Sequence, residues 1–193
     1  MILAQPRYKK VSFYSLSVIF IIYAFTINRI FAQVTDPSPI KFPTPKKIDN
    51  MLFYLQRDPN TNTLIYAVNL QENGTINRSN PVAIYWIRYG EKGEKKDLGY
   101  IQKKFAYGLT SKEIAKDKFE LKFVSHKALP LYLTKVNQKY CVTVTANGKT
   151  INLNRIFVRI VGGSFWLPNV RYALIEGTEA TTGKALTEQV MVK

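Results

Sequence analysis

The sequence predicts a mainly β domain, an antiparallel β-sandwich or flattened barrel with one short α-helix at about residues 97–107. Three observations carry that reading. The chain holds 11 Phe, 12 Tyr and 2 Trp among 193 residues, a composition that favours strands and excludes a disordered chain. Strand-length runs of apolar residues are separated by clusters of Asn, Asp, Gly and Pro. One of those runs, Pro81 to Gly90 (PVAIYWIRYG), is apolar or aromatic on both faces, as a strand in the middle of a covered sheet would be.

The elements follow in order. Residues 1–32 look like a signal peptide. Arg7, Lys9 and Lys10 form a positive start, Val11 to Phe25 is apolar, and cleavage is expected between Ala32 and Gln33. The alternative is an uncleaved anchor holding the chain to the membrane. Residues 33–50 read as a Pro-rich linker, with Pro37, Pro39, Pro43 and Pro45 favouring extended backbone. Residues 51–193 read as one β-rich domain, long enough to bury a core without disulfides. In it, Met51–Arg57 and Leu64–Leu70 form a candidate hairpin around the turn residues Asp58 to Asn62. Asp97 to Gly108 is the expected helix, capped by Asp97, with Leu98, Ile101 and Phe105 on its inner face and Lys103 and Lys104 near its carboxyl end. Lys118 to Val124 alternates, placing Phe119, Leu121 and Phe123 inward. Asn147-Gly148 is a strong hairpin signal. Gly162-Gly163 breaks the following strand, Trp166-Leu167-Pro168 is expected to form a packed corner, and Asn169–Glu176 and Lys184–Val192 complete the sheet.

Net charge is +15. The leader supplies only Arg7, Lys9, Lys10 and Arg29, which leaves 24 basic against 13 acidic residues beyond it. Such a balance suits an anionic envelope component or a small anionic ligand, and no specific nucleic-acid signal accompanies it. The expected location is the periplasm or cell envelope. Catalytic, metal and cofactor motifs are not found. The single Cys141 excludes an intramolecular disulfide, and the single His126 stands in a turn without catalytic context. What remains is cationic: Arg57 at the end of the first strand and Arg88 near the end of the Pro81–Gly90 strand, with Tyr85, Tyr89 and Lys104 as neighbours in a candidate anion cluster. The competing reading of Arg88 is an internal ion pair with Glu or Asp. The function expected is a non-enzymatic binding module. The alternatives are an envelope hydrolase or transferase, and an assembly protein acting through a strand edge.

The segments LFYLQRD, NTLIYAVNL, NPVAIYWIRYG, KKFAYGL, LPLYL, NRIFVRI and YALIEGTEATTGK, in this order, resemble a family of bacterial exported domains of unknown function. The likeness runs from about Leu52 to Glu188, and the leader ending FAQ is similar to those of Bacteroidetes-type bacteria. The resemblance implies no catalytic or binding residue.

Overall fold

A computed structural model of the chain describes residues 41–164 and 167–191. The leader, the Ala32–Gln33 junction, Trp166 and Val192 lie outside the described residues. Eleven strands form one curled, open sheet resembling a half-barrel. They are β1 (Met51–Arg57), β2 (Asn60–Val68), β3 (Val82–Arg88), β4 (Glu94–Asp97), β5 (Leu109–Ala115), β6 (Lys118–Phe123), β7 (Leu131–Val136), β8 (Lys139–Ala146), β9 (Lys149–Gly163), β10 (Pro168–Glu179) and β11 (Ala185–Val190).

The long β9 organises them. One of its edges pairs antiparallel with β10 from Ile151 to Gly163. Its other edge is shared between two strands. Lys149 to Asn152 pair antiparallel with β8, and Arg155 to Val158 pair parallel with β1. Two wings diverge from that point, a first, β1-β2-β3-β4, and a second, β8-β7-β6-β5, and curl toward one another. The parallel β1–β9 pair departs from the expected all-antiparallel pairing. It joins segments about a hundred residues apart, beyond the reach of any local pattern.

The core lies between the wings. Phe53 stacks on Tyr66, its cross-strand partner, with centroids 4.4 Å apart. Both meet Phe123 of the other wing edge-on, at 6.4 and 5.8 Å. These are favoured aromatic geometries. The alternation read in β6 holds: Phe119, Leu121 and Phe123 are buried. The Asn147-Gly148 turn joins β8 to β9 with positive φ at both residues (49° and 78°), the conformation an Asn-Gly hairpin turn supplies.

Two expectations need correction. The strand buried on both faces is β2, in which Thr63 to Val68 are all buried, and not β3. Leu64, Tyr66 and Val68 enter the core, whereas Thr63, Ile65 and Ala67 are buried on the opposite face. On β3, Tyr85 and Ile87 stay half-exposed because its outer neighbour is the four-residue, wholly charged β4, which brings no apolar cover. The second correction concerns the helix. Asp97 is the last residue of β4, paired with Tyr85, so it caps nothing. An α-helical turn, α1, covers Tyr100–Gln102 alone and passes into a π-helical turn at Lys103–Tyr107. Gln102 Oε1 accepts from the Gly99 amide at 3.2 Å. Leu98 and Tyr107 pack on the core, while Ile101 and Phe105 face solvent.

On the outer face of the first wing, the described part of the Pro-rich segment makes contacts. Phe42 meets Phe157 edge-on at 5.2 Å, Pro45 is buried, and the Pro43 carbonyl accepts from Gln56 Nε2 at 2.7 Å.

Burial raises the Tyr66 phenol well above its ordinary value near 10, and it also raises Tyr107, Tyr54, Tyr85 and Tyr89. These groups ionise more readily in the unfolded chain, so their contribution to stability is complete below pH 10 and is lost as pH rises above it. Alkaline unfolding is therefore expected to be steep above pH 10. Absorbance at 295 nm should show Tyr66 ionising only together with loss of the folded circular dichroism signal.

Candidate functional site

The end of the first wing gathers Arg57, Trp86, Tyr107 and Gln102. Tyr107 is held from two sides. Its carbonyl accepts from the Tyr66 hydroxyl at 2.9 Å, and its ring meets Trp86 edge-on at 5.3 Å. Trp86 Nε1 in turn donates to Gln102 Oε1 at 3.3 Å. The Arg57 guanidinium lies over the Tyr107 ring, with Cζ 5.5 Å from the centroid. Burial raises the Tyr107 phenol, and the Arg57 charge opposes that rise. The helical segment is thus pinned onto the sheet by Gln102 and Tyr107, and Arg57 rests against that pin.

Arg57 differs from its neighbours in its electrostatics. Arg88 pairs with Glu91 and, at 3.1 Å, with Glu94. Arg155 donates to Glu176 and to Gln56 Oε1, both at 2.8 Å. Arg159 pairs with the buried Asp58. Among the described residues Arg57 has neither a carboxylate partner nor a hydrogen-bond acceptor, and its Nε is buried. A buried guanidinium N–H without an acceptor is costly unless something supplies one.

The five residues of the sequence-derived cluster therefore divide. Arg57 and Arg88 occur at the ends of strands in the same wing, with Arg88 neutralised by its two glutamates. Tyr85 alternates with Trp86 and so faces outward, where Lys95 Nζ lies 4.1 Å from its ring centroid. Tyr89, just beyond β3, is close enough to Tyr54 to oppose its ionisation. Lys104 is exposed, over the rings of Tyr100 and Phe105 at 5.4 and 5.2 Å. With a single α-helical turn in this segment, Tyr100–Gln102, a helix dipole does not account for Lys103 and Lys104.

Sequence reasoning missed Tyr107, Trp86 and Gln102 as the setting of Arg57. A partial signal existed in KKFAYGL, whose Gly108 marks the tight turn that delivers Tyr107. The Gln56–Arg155–Glu176 chain, anchored further by Gln56 Nε2 donating to Thr63 Oγ1 at 2.8 Å, was also missed. No local pattern announces it, because it spans the parallel β1–β9 pair.

Among the described residues no three of His, Cys, Asp and Glu come together as a metal site. No helix among them is long and apolar enough to cross a membrane. No curated protein and no solved structure matches the chain. Residues 53–189, most of the chain, match the model of a domain of unknown function, DUF4833. The chain therefore belongs to the DUF4833 family of domains.

Proposed function

We propose that this is an exported, non-enzymatic binding module of the periplasm or cell envelope, whose ligand presents an anionic group to Arg57. The observation that carries the reading is the Arg57 guanidinium, packed on Tyr107 with its Nε buried and no acceptor among the described residues. A carboxylate or phosphate oxygen is the chemical complement of that group, and charge-assisted hydrogen bonds of this kind are strong. The aromatic walls supplied by Tyr107 and Trp86 suit a ligand with an apolar or sugar-like body beside its charge. Export is supported by the positive start, the apolar stretch and the Ala32–Gln33 junction of the sequence. The excess of basic residues beyond the leader raises the local concentration of anions around the domain.

A thermal-shift screen tests this reading. The probes are inorganic phosphate, sugar phosphates, uronic acids and dicarboxylates. A ligand at a hundred times its Kd stabilises the native state by about 2.7 kcal/mol, which raises Tm by about 5–10 °C in a domain of this size. The shift is expected to vanish in Arg57→Gln and to survive in Arg88→Gln, since Arg88 is already paired. A shift lost in Arg88→Gln and kept in a folded Arg57→Gln would contradict the assignment, as would silence across the panel.

A further inference from the structure

The segment that pins Tyr107 carries an opposite, solvent-facing side that the core does not use. Tyr100 is 74% exposed, Ile101 49% and Phe105 62%, three large apolar residues within six positions. Exposed apolar residues scattered singly need no explanation, but a cluster on one short turn does. Nor is the segment loose. Gln102 holds Trp86, the Tyr107 carbonyl takes the Tyr66 hydroxyl, and the Ala106 carbonyl accepts from Ser125 Oγ at 2.6 Å. Its inner side is fastened to both wings, so its apolar side is held outward.

The charge around it has one sign. Lys103 and Lys104 are exposed within the segment, and Lys104 Nζ lies against the rings of Tyr100 and Phe105. Lys96, also exposed, pairs with Trp86 in register and so shares the face of the sheet on which the segment sits. Among nearby acids, Glu91 and Glu94 are engaged by Arg88, and Asp97 belongs with Tyr85 on the other face. Aromatic and aliphatic side chains flanked by lysines match the chemistry of a bilayer interface. Rings settle at headgroup depth there, and lysines reach anionic phosphates.

From this arrangement we infer that Tyr100, Ile101 and Phe105 form a membrane-docking tip that inserts into the headgroup region of an anionic lipid bilayer, with Lys96, Lys103 and Lys104 contacting lipid phosphates. The inference does not depend on ligand binding at Arg57. The tip would hold the domain against a membrane with that site beside the surface.

The test uses a local reporter in the full chain, so that vesicle binding through any other segment does not register. In a Cys141→Ser background, an environment-sensitive fluorophore is attached at Ile101→Cys or, on the other wing, at Val136→Cys, which is also exposed. Vesicles of phosphatidylglycerol and phosphatidylcholine in a 1:2 ratio should shift the emission of the label at 101 to the blue and leave that at 136 unchanged. Adding Lys103→Glu and Lys104→Glu should raise the lipid concentration for half the shift by about tenfold or more. The inference is overturned by an unmoved label at 101, by equal shifts at 101 and 136, or by pure phosphatidylcholine acting as well. A shift of the label at 101 produced equally by inorganic polyphosphate would overturn the lipid assignment in favour of an anionic polymer.

Discussion

Replacing Phe53 with alanine is expected to destabilise the domain by about 3–5 kcal/mol, the usual cost of emptying a buried aromatic site. Phe53 is fully buried, stacked on Tyr66 in its own wing and edge-on to Phe123 in the other. The cavity would open where the two wings meet. The strands around it are fixed by hydrogen-bonded partners, β2 on one side and β9 on the other, and they cannot collapse far. Ile87→Ala provides the contrast. Its side chain lies on the half-exposed outer face of β3, and its loss is expected to cost about 1 kcal/mol. Urea unfolding at neutral pH measures both. A Phe53→Ala variant as stable as Ile87→Ala would mean that the wings do not share one core.

Gly108→Ala is expected to cost about 1–3 kcal/mol and to unseat Tyr107. The φ of Gly108 is −65°, so no backbone strain is involved. The problem is space. A Cβ at this position would stand 1.9 Å from the Lys103 carbonyl oxygen and 3.0 Å from its carbon. Both are backbone atoms of the π-helical turn, and the turn must open to admit the methyl group. Gly108 cannot slide away instead, because its carbonyl is held by the Val124 amide at 3.0 Å. Opening the turn moves Tyr107, and with it the aromatic wall against which Arg57 rests. The near-ultraviolet circular dichroism of Trp86 and Tyr107 should change, along with stability. An unaltered spectrum would show that the turn has room that its geometry denies.

The sequence made the sheet legible where a local pattern decides the outcome. In β6 the alternation of Phe119, Leu121 and Phe123 with lysine and glutamate has one stable solution, and the chain adopts it. Asn147-Gly148 specified its hairpin because those residues accept the positive φ that the turn requires. The helix misled for a physical reason. Leu98, Ile101 and Phe105 do recur at helical spacing, but β4 recruits Asp97 into the sheet and Gly108 must fit a π-helical turn, so too few residues remain for helix propagation. The three residues then divide, with Leu98 packed on the core and Ile101 and Phe105 facing solvent. β3 and β2 present a similar contrast. Both are apolar on both faces, and which one is covered depends on neighbours that neither sequence contains.

The candidate site was legible in one residue. Arg57 stood out as a cation at a strand end, yet so did Arg88, and sequence offered no means to separate them. What separates them is three-dimensional. Glu91 and Glu94 come back to Arg88 through a tight turn and a short edge strand, while Tyr107 arrives at Arg57 from fifty residues away. Tyr85 and Tyr89 were grouped with the arginines by proximity in sequence. In a strand, adjacent residues face opposite ways, so Tyr85 shares a face with Ile65 and Tyr54, away from Trp86.

The central claim is that Arg57 is the guanidinium that meets the ligand, and NMR of the arginine side chains tests it most directly. Each Nε–Hε group gives its own resonance when protected, and Arg57, Arg88 and Arg155 sit in different surroundings. Titration with the anion that gives the largest thermal shift should move the Arg57 resonance saturably while those of Arg88 and Arg155, already paired with glutamates, stay in place. Movement of Arg88 or Arg155 with Arg57 unchanged would contradict the account, and so would saturable binding that leaves all three where they were.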